Sequence, residues 1–474
     1  MDSLIFHFVL PLPPFSVLGI CLYCQFGKFV RVSFICEAAR IKKLLRVCYP
    51  AAITMSLCGP PFSFPSGATS CSGGKPIANG PNHLSSRPFR LGPIMSLNRQ
   101  NSGAETTAAS SSFSSALNYF TKLLWGPSLP PGLLISTVRS AWTTAWGIMM
   151  SQLAPSDPSG SYSRPISMFR VTEPSQFSGR RPGTLHLYVG LPCPWAHRTL
   201  IVRALKGLED SVPVSVAAPG VDGSWEFQDS RIPITSWEKH SILPGKDRVN
   251  GCRNLREVYA MRSGGYSGRC TVPMLWDVER KEVACNESYD IIEVFNSGLN
   301  QLSTNPELDL SPLELQGKIE EWNRVIYPNV NNGVYRCGFA QTQEAYDAAV
   351  NQLFGALDNI DSHLNRSRYL CGDVLTLADV CLFTTLIRFD LVYNVLFKCT
   401  KKKLLEYPNL HGYMRDIYQI PKVAATCNFT AIMDGYYQFL FPLNPGNIKP
   451  AIPAACDHEV LSSPHNRESL SIIS

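Results

Sequence analysis

The stretch Leu185–Asp210, LHLYVGLPCPWAHRTLIVRALKGLED, changes its hydrophobic period at one residue. Before Cys193, the apolar residues Leu185, Leu187, Val189 and Leu191 alternate, as in a half-buried strand. After it, Leu200, Val202, Leu205 and Leu208 recur at roughly helical spacing. Pro194 fits the first position of a helix, where its missing N–H has no partner to lose. A strand therefore ends, and a helix begins, at or near Cys193. A thiol at that point meets unpaired backbone N–H groups and the positive end of the helix dipole, both of which favour the thiolate. A small buried cysteine and half of a disulfide are the bland alternatives. Residue 196 is Ala, so no resolving cysteine stands three residues on, and a thiolate here would pair with an external thiol.

The pattern continues outward from this junction. A second strand is predicted over 212–218, followed by a Gly/Ser/Pro-rich excursion over 219–268. Two more strands are predicted over 271–277 and 281–285, and a helix, ESYDIIEVFNSGL, closes the unit. The order β-α-β then β-β-α is that of a thioredoxin-like fold. Residues 311–440 show helical stretches and no comparable strand pattern. TLAD (Thr376–Asp379) reads as a capping box ahead of an apolar helix. The expected architecture is α/β plus all-α: an extension with short helices over 1–155, a thioredoxin-like domain over 156–300, an all-helical domain over 301–440, and an extended tail over 441–474.

The 474 residues carry a formal charge of +6, unevenly spread. Residues 1–155 hold 12 Lys and Arg against Asp2, Glu37 and Glu105, whereas the remainder is net −3. That thin, front-loaded charge gives no support to nucleic-acid binding. It fits a targeting segment ahead of a soluble body, and the Ser/Gly/Pro/Ala-rich stretch from Thr54 to Ser115 has the composition of a plastid transit peptide. Met55 and Met95 could each begin a shorter chain. The apolar run over 4–24 is long enough to raise a membrane span, but Pro11, Pro13 and Pro14 interrupt it and no stable span is expected. One or two short helices are predicted over 116–153, packed on the body. Of 16 cysteines, only Cys21 and Cys24 form a CxxC pair, with no second pair at zinc spacing; no metal is expected, and a reduced, intracellular protein is the easier reading.

The strings CPWAHRTLIVRALKGLED (193–210), GRCTVPMLWDVERKEVACNES (268–288), NNGVYRCGFA (331–340) and LIRFDLVYNVLFKC (386–399) closely resemble the glutathionyl-hydroquinone reductases, the xi class of glutathione transferases. The resemblance covers about residues 165–452 and leaves 1–150 outside. It implies a thioredoxin-like domain followed by a helical domain, a homodimer, glutathione as co-substrate, and a plant plastid member, with a cytoplasmic location as the alternative. Cys193 would be the nucleophile. Val272, before a cis proline, would pair its backbone with the cysteinyl part of glutathione. Glu287 and Ser288 would hold the γ-glutamyl end, which also suits their place at a helix start, where the plain reading is capping. Trp225 would flank glutathione, and Arg269 would neutralise the glycine carboxylate. Tyr335, Tyr393 and Tyr436 would line the aromatic-substrate pocket; Tyr437 beside Tyr436 leaves the register open by one. His197, one turn past Cys193, reads as a packed, hydrogen-bonded histidine or a tuner of the thiolate. Ala431, Phe439 and Leu440 stand where the family has polar residues. The implied activity is reduction of glutathionyl-hydroquinones through a Cys193–glutathione mixed disulfide. The alternatives are a general thiol transferase or dehydroascorbate reductase, and a noncatalytic glutathione-binding module.

Overall fold

The computed structural model describes residues 131–220, 223–228 and 242–471, together with the backbone of three strands at 6–9, 19–24 and 30–35. Those strands, β1 (Phe6–Val9), β2 (Gly19–Cys24) and β3 (Val30–Ile35), form an antiparallel sheet in chain order within a unit spanning Met1–Ala104. The backbone at Cys21 and Cys24 lies in β2, and the transit-like stretch over 54–115 lies outside the described residues.

The second unit, Glu105–Ser474, is built on a four-stranded sheet in the order β5-β4-β8-β9. β4 (Leu185–Val189) runs parallel to β5 (Val214–Val216) and antiparallel to β8 (Met274–Asp277), which pairs in turn with β9 (Glu282–Cys285). Parallel β4 and β5 need a crossover, and α2 (Pro194–Leu205) supplies it. This is the thioredoxin-like topology read from the sequence. β8 starts later than expected, so Val272 and Pro273 precede the strand; the bond between them is cis. The 219–268 excursion contains a short hairpin, β6 (Ala218–Pro219) with β7 (Trp225–Glu226), and helix α3 (Leu255–Ala260).

Eleven of the twelve residues of α2 are buried, because the helix lies between the sheet and a helical body. Its polar side chains are accordingly paired: Arg203 donates to the carbonyl of Val212 (2.6 Å), and Arg198 donates to Asn331 Oδ1 (2.7 Å). After α4 (Ser288–Glu293) come α5 (Gln316–Ile326), α6 (Gly333–Gly338), α7 (Gln343–Leu364) and α8 (Leu377–Leu386). All ten residues of α8 are buried, so it is the central helix, apolar all round as a fully enclosed helix must be. α9 (Leu410–Gln419) and α10 (Phe429–Tyr437) pack around it.

The TLAD box starts α8. The Asp379 carboxylate is fully buried and accepts hydrogen bonds from the Thr376 N–H and hydroxyl (2.8 Å each), the Leu370 N–H (2.9 Å) and the Tyr413 hydroxyl (2.8 Å). Burial pushes its pKa up while these donors pull it down. One carboxylate thus ties the preceding loop, α8 and α9 together.

Two segments depart from expectation. Of the segment expected to hold one or two short helices, 116–130 lies outside the described residues, and 131–153 is one continuous helix, α1 (Pro131–Leu153), seated through buried Met150 and through Trp146, whose indole N–H donates to the Pro442 carbonyl (3.3 Å). The tail over 441–474 is not simply extended. It carries a helical turn, α11 (His458–Leu461), with Leu461 buried, and Arg467 donates to the carbonyls of Leu364, Ser367 and Arg368. Its anchors are single side chains, which leave no periodic signature.

Replacing Asp379 by Ala strands several buried donors at once. Urea unfolding should show a loss of about 3 kcal/mol or more, against about 1 kcal/mol for Thr376→Ala.

Candidate active site

The β4–α2 turn places Cys193 at the N-cap of α2, its N–H bonded to the Gly190 carbonyl (3.0 Å). The thiol is half-buried and points at the Val272 carbonyl, 3.6 Å away. Among the described residues every cysteine is free. Burial pushes the Cys193 thiol up; the N–H groups of Ala196 and Trp195 and the charges of Arg164 and Arg388 pull it down. The expectation of a lowered value counted the helix end and left out burial, which is the larger effect.

A cleft of about 360 Å³ opens beside this turn. It brings together Arg269, Val272, Glu287 and Ser288, with Pro273 and Asn286 between them. Glu287 is the N-cap of α4: its carboxylate accepts from the Tyr289 N–H (3.3 Å) and the Ser288 hydroxyl (3.3 Å). Capping and ligand binding are therefore compatible there, since Glu287 caps the helix and lines the cleft at once. Trp225 does not line this cleft. Its ring lies against Gly190, where any Cβ would overlap the indole, so it braces the turn from the side of β7.

Sequence reasoning missed the other wall. Residues 164–168 cross the cleft and are stitched to α4: Phe169 and Asn286 exchange two hydrogen bonds (3.0 Å each), Ser167 donates to Glu287 Oε2 (2.9 Å), and Arg170 forms a two-point ion pair with Asp290 (2.7 and 2.9 Å). Arg164 lies over one ring of Trp195 at 4.0 Å, and Arg198 lies over the same indole at 4.4 Å. Trp195 and Arg198 stood inside the quoted CPWAHR motif, so their type was visible but not their use.

The tyrosines meet in the helical half. Tyr436 is the hub: its hydroxyl bonds that of Tyr335 (2.6 Å) and that of Tyr393 (3.1 Å). Tyr437 points away and donates to the Leu391 carbonyl (3.1 Å), which fixes the register. Burial, foremost, raises the pKa of all three phenols, and Cys193 adds to the rise at Tyr335 and Tyr393. The triad is protonated at neutral pH and within electrostatic reach of the thiol. Tyr393 sits in a wide helical turn after α8 (Phe389–Tyr393) rather than on a continuous helix. Phe397 packs against all three rings at 5.3–5.7 Å.

His197 is buried and packed: its Nε2 is 2.8 Å from Thr426 Oγ1 and its Nδ1 is 2.9 Å from Arg388 Nη1. Burial, then the Arg388 charge, hold it well below the usual histidine range. It is neutral and does not titrate against Cys193. No cluster of three or more His, Cys, Asp or Glu suited to a metal occurs among the described residues, and none of their helices is long and apolar enough to cross a membrane.

Two family models match the chain, the glutathione S-transferase N-terminal domain over 192–297 and the C-terminal domain over 343–416. The chain is 44% identical over 286 residues to glutathionyl-hydroquinone reductase YqjG of Escherichia coli, covering 60% of this chain and 82% of that protein. The glutathione-bound structure of YqjG superposes with a TM-score of 0.55 at 42% identity, over 60% of this chain and 89% of the other. The Xi glutathione S-transferase of Phanerochaete chrysosporium superposes with a TM-score of 0.58 at 39% identity, over 64% and 95%.

Gly435, next to the hub tyrosine, lets α10 approach the turn so closely that a Cβ would overlap Pro192. Gly435→Ala should therefore destabilise the fold by about 1–3 kcal/mol and lower turnover by displacing Tyr436 from the Tyr335 and Tyr393 hydroxyls. Thermal melts paired with steady-state rates check both effects.

Proposed function

The chain belongs to the glutathione S-transferase family, in the Xi class that contains the glutathionyl-hydroquinone reductases, and on that premise we propose that it reduces glutathionyl-hydroquinones with glutathione. The observation that carries the reading is a single thiol set between a cleft suited to a peptide and a triad of protonated phenols.

The glutathionyl part of the substrate fits the cleft, with the Val272 backbone beside its cysteinyl unit, the Glu287 carboxylate for its ammonium and Arg269 for a carboxylate. The aromatic ring then faces the tyrosines. Cys193 thiolate attacks the thioether sulfur. An S–S bond forms, the ring C–S bond breaks, and its electron pair passes to the ring carbon, which takes a proton. The phenols suit this step because, held protonated by burial, they donate to the quinol oxygens while charge moves onto the ring. The products are hydroquinone and Cys193 joined to glutathione. A second glutathione thiolate attacks that disulfide and releases oxidised glutathione with Cys193 restored. The high pKa that burial imposes lowers the thiolate fraction but makes each thiolate a stronger nucleophile.

A cluster of packed tyrosine and phenylalanine rings favours an aromatic second substrate over dehydroascorbate, a small polar one. Homodimer formation and a plant plastid location, with the cytoplasm as the alternative, belong to the same proposal. They rest on the family resemblance and on the basic, acid-poor sequence before residue 155.

Purified protein mixed with glutathionyl-menadiol and glutathione should release menadiol, and Cys193→Ala and Cys193→Ser should fall to the uncatalysed background. If the wild type binds glutathione but releases nothing, the binding-module reading replaces this one. If Cys193→Ala retains turnover, the nucleophile is misassigned.

A further inference from the structure

Arg388 stands just after α8 with 1% of its surface exposed, and the reaction above gives it no part. Its guanidinium reaches from the helical half to the turn that carries the nucleophile. Nε donates to the Pro192 carbonyl (3.1 Å) and Nη2 to the Leu191 carbonyl (3.0 Å). Nη1 donates to the Thr384 carbonyl (2.9 Å) and to His197 Nδ1 (2.9 Å). None of these acceptors is charged. A buried cation with only neutral partners is costly to desolvate, so an apolar residue would serve packing better.

The partners also fix the histidine. Because Arg388 has no lone pair, His197 Nδ1 must accept, which puts the imidazole proton on Nε2, facing Thr426 Oγ1. The Thr426 hydroxyl in turn donates to the Val423 carbonyl (2.7 Å). The chain of hydrogen bonds thus runs one way, and the guanidinium is its single charge.

We propose that Arg388 is the positioning residue for the nucleophile, locking the Leu191–Pro192 peptides onto the helical half and supplying the permanent charge that favours the Cys193 thiolate. The proposal rests on Cys193 being the attacking atom. The groups that bear on that sulfur are the Ala196 and Trp195 N–H groups from α2, Arg164 from the crossing segment, and Tyr335 and Tyr393 from the helical half. His197 lies beneath and is uncharged. Arg164 is partly exposed and Arg388 is enclosed; both charges favour the thiolate, that of Arg164 ahead of that of Arg388. Geometry and charge are separable here, because lysine keeps the charge but cannot span two carbonyls with a planar fork.

The test follows iodoacetamide labelling of Cys193 across pH by peptide mass spectrometry, on the full chain, for wild type, Arg388→Met and Arg388→Lys. Arg388→Met should move the labelling midpoint to higher pH and slow labelling at pH 7 by about tenfold. Arg388→Lys should keep the wild-type midpoint yet lose about tenfold in kcat for glutathionyl-menadiol, with KM for glutathione unchanged. Superimposed profiles for Met and wild type, or a Lys profile shifted as far as Met, would overturn the proposal. Should Arg388→Met fail to fold, the Lys variant decides alone: an unchanged midpoint with reduced kcat supports it, and a shifted midpoint or unchanged kcat refutes it. Labelling uses no quinol, so a wild type inactive on glutathionyl-menadiol but with the expected labelling shifts would sink the substrate reading and leave the role of Arg388 standing.

Discussion

The site depends on a constraint at the peptide level: the β4–α2 turn must stay open to substrate while being held from three sides. Trp225 lies on Gly190, Arg388 takes the carbonyls of Leu191 and Pro192, and Gly435 lets α10 close on Pro192. No regular hydrogen-bond ladder could do this, because the turn belongs to neither strand nor helix. The sulfur of Cys193 is thereby fixed 3.6 Å from the Val272 carbonyl without a covalent or metal tether. The two halves of the body therefore meet at this turn: the thioredoxin-like part carries the thiol, and the helical part holds the peptides before it.

The same enclosure creates an electrostatic conflict. Helix N–H groups and two guanidinium groups favour the thiolate, and burial opposes them. In the proposed reaction this conflict suits an attack on sulfur, since a thiolate of high basicity is the more reactive once formed. It also explains why the phenols nearby stay protonated: the burial that opposes the thiolate opposes phenolate as well. The departures at Ala431, Phe439 and Leu440 fall on α10 and just beyond it, next to the hub Tyr436. They leave the hydroxyl contacts of the triad intact.

Much of this was readable from residue order. The change of period at Cys193 located the strand, the helix and the N-cap, because proline and apolar spacing are local signals. The capping box at Thr376 was readable for the same reason. Arg388 was not, since its partners around the turn and in α2 lie 191 to 197 positions away and nothing in LIRFDLVYNV distinguishes a buried arginine from a solvated one. The crossing segment over 164–168 was missed because its hold on the cleft comes from backbone and single side-chain bonds to Asn286, Glu287 and Asp290. The tyrosine register needed the fold itself: Tyr436 and Tyr437 are adjacent in sequence yet their hydroxyls serve different partners. Helix-end reasoning also overstated the acidity of Cys193, because burial is a property of the packed molecule.

The account turns on where the glutathionyl group goes in the first half-reaction. Intact-mass spectrometry of the protein after one equivalent of glutathionyl-menadiol, with no free glutathione, reads this directly. One glutathionyl adduct should accumulate, located on the Cys193 peptide, with an equal amount of menadiol released, and added glutathione should discharge it. Menadiol released from a protein that stays unmodified, or an adduct on any other cysteine, would contradict the account.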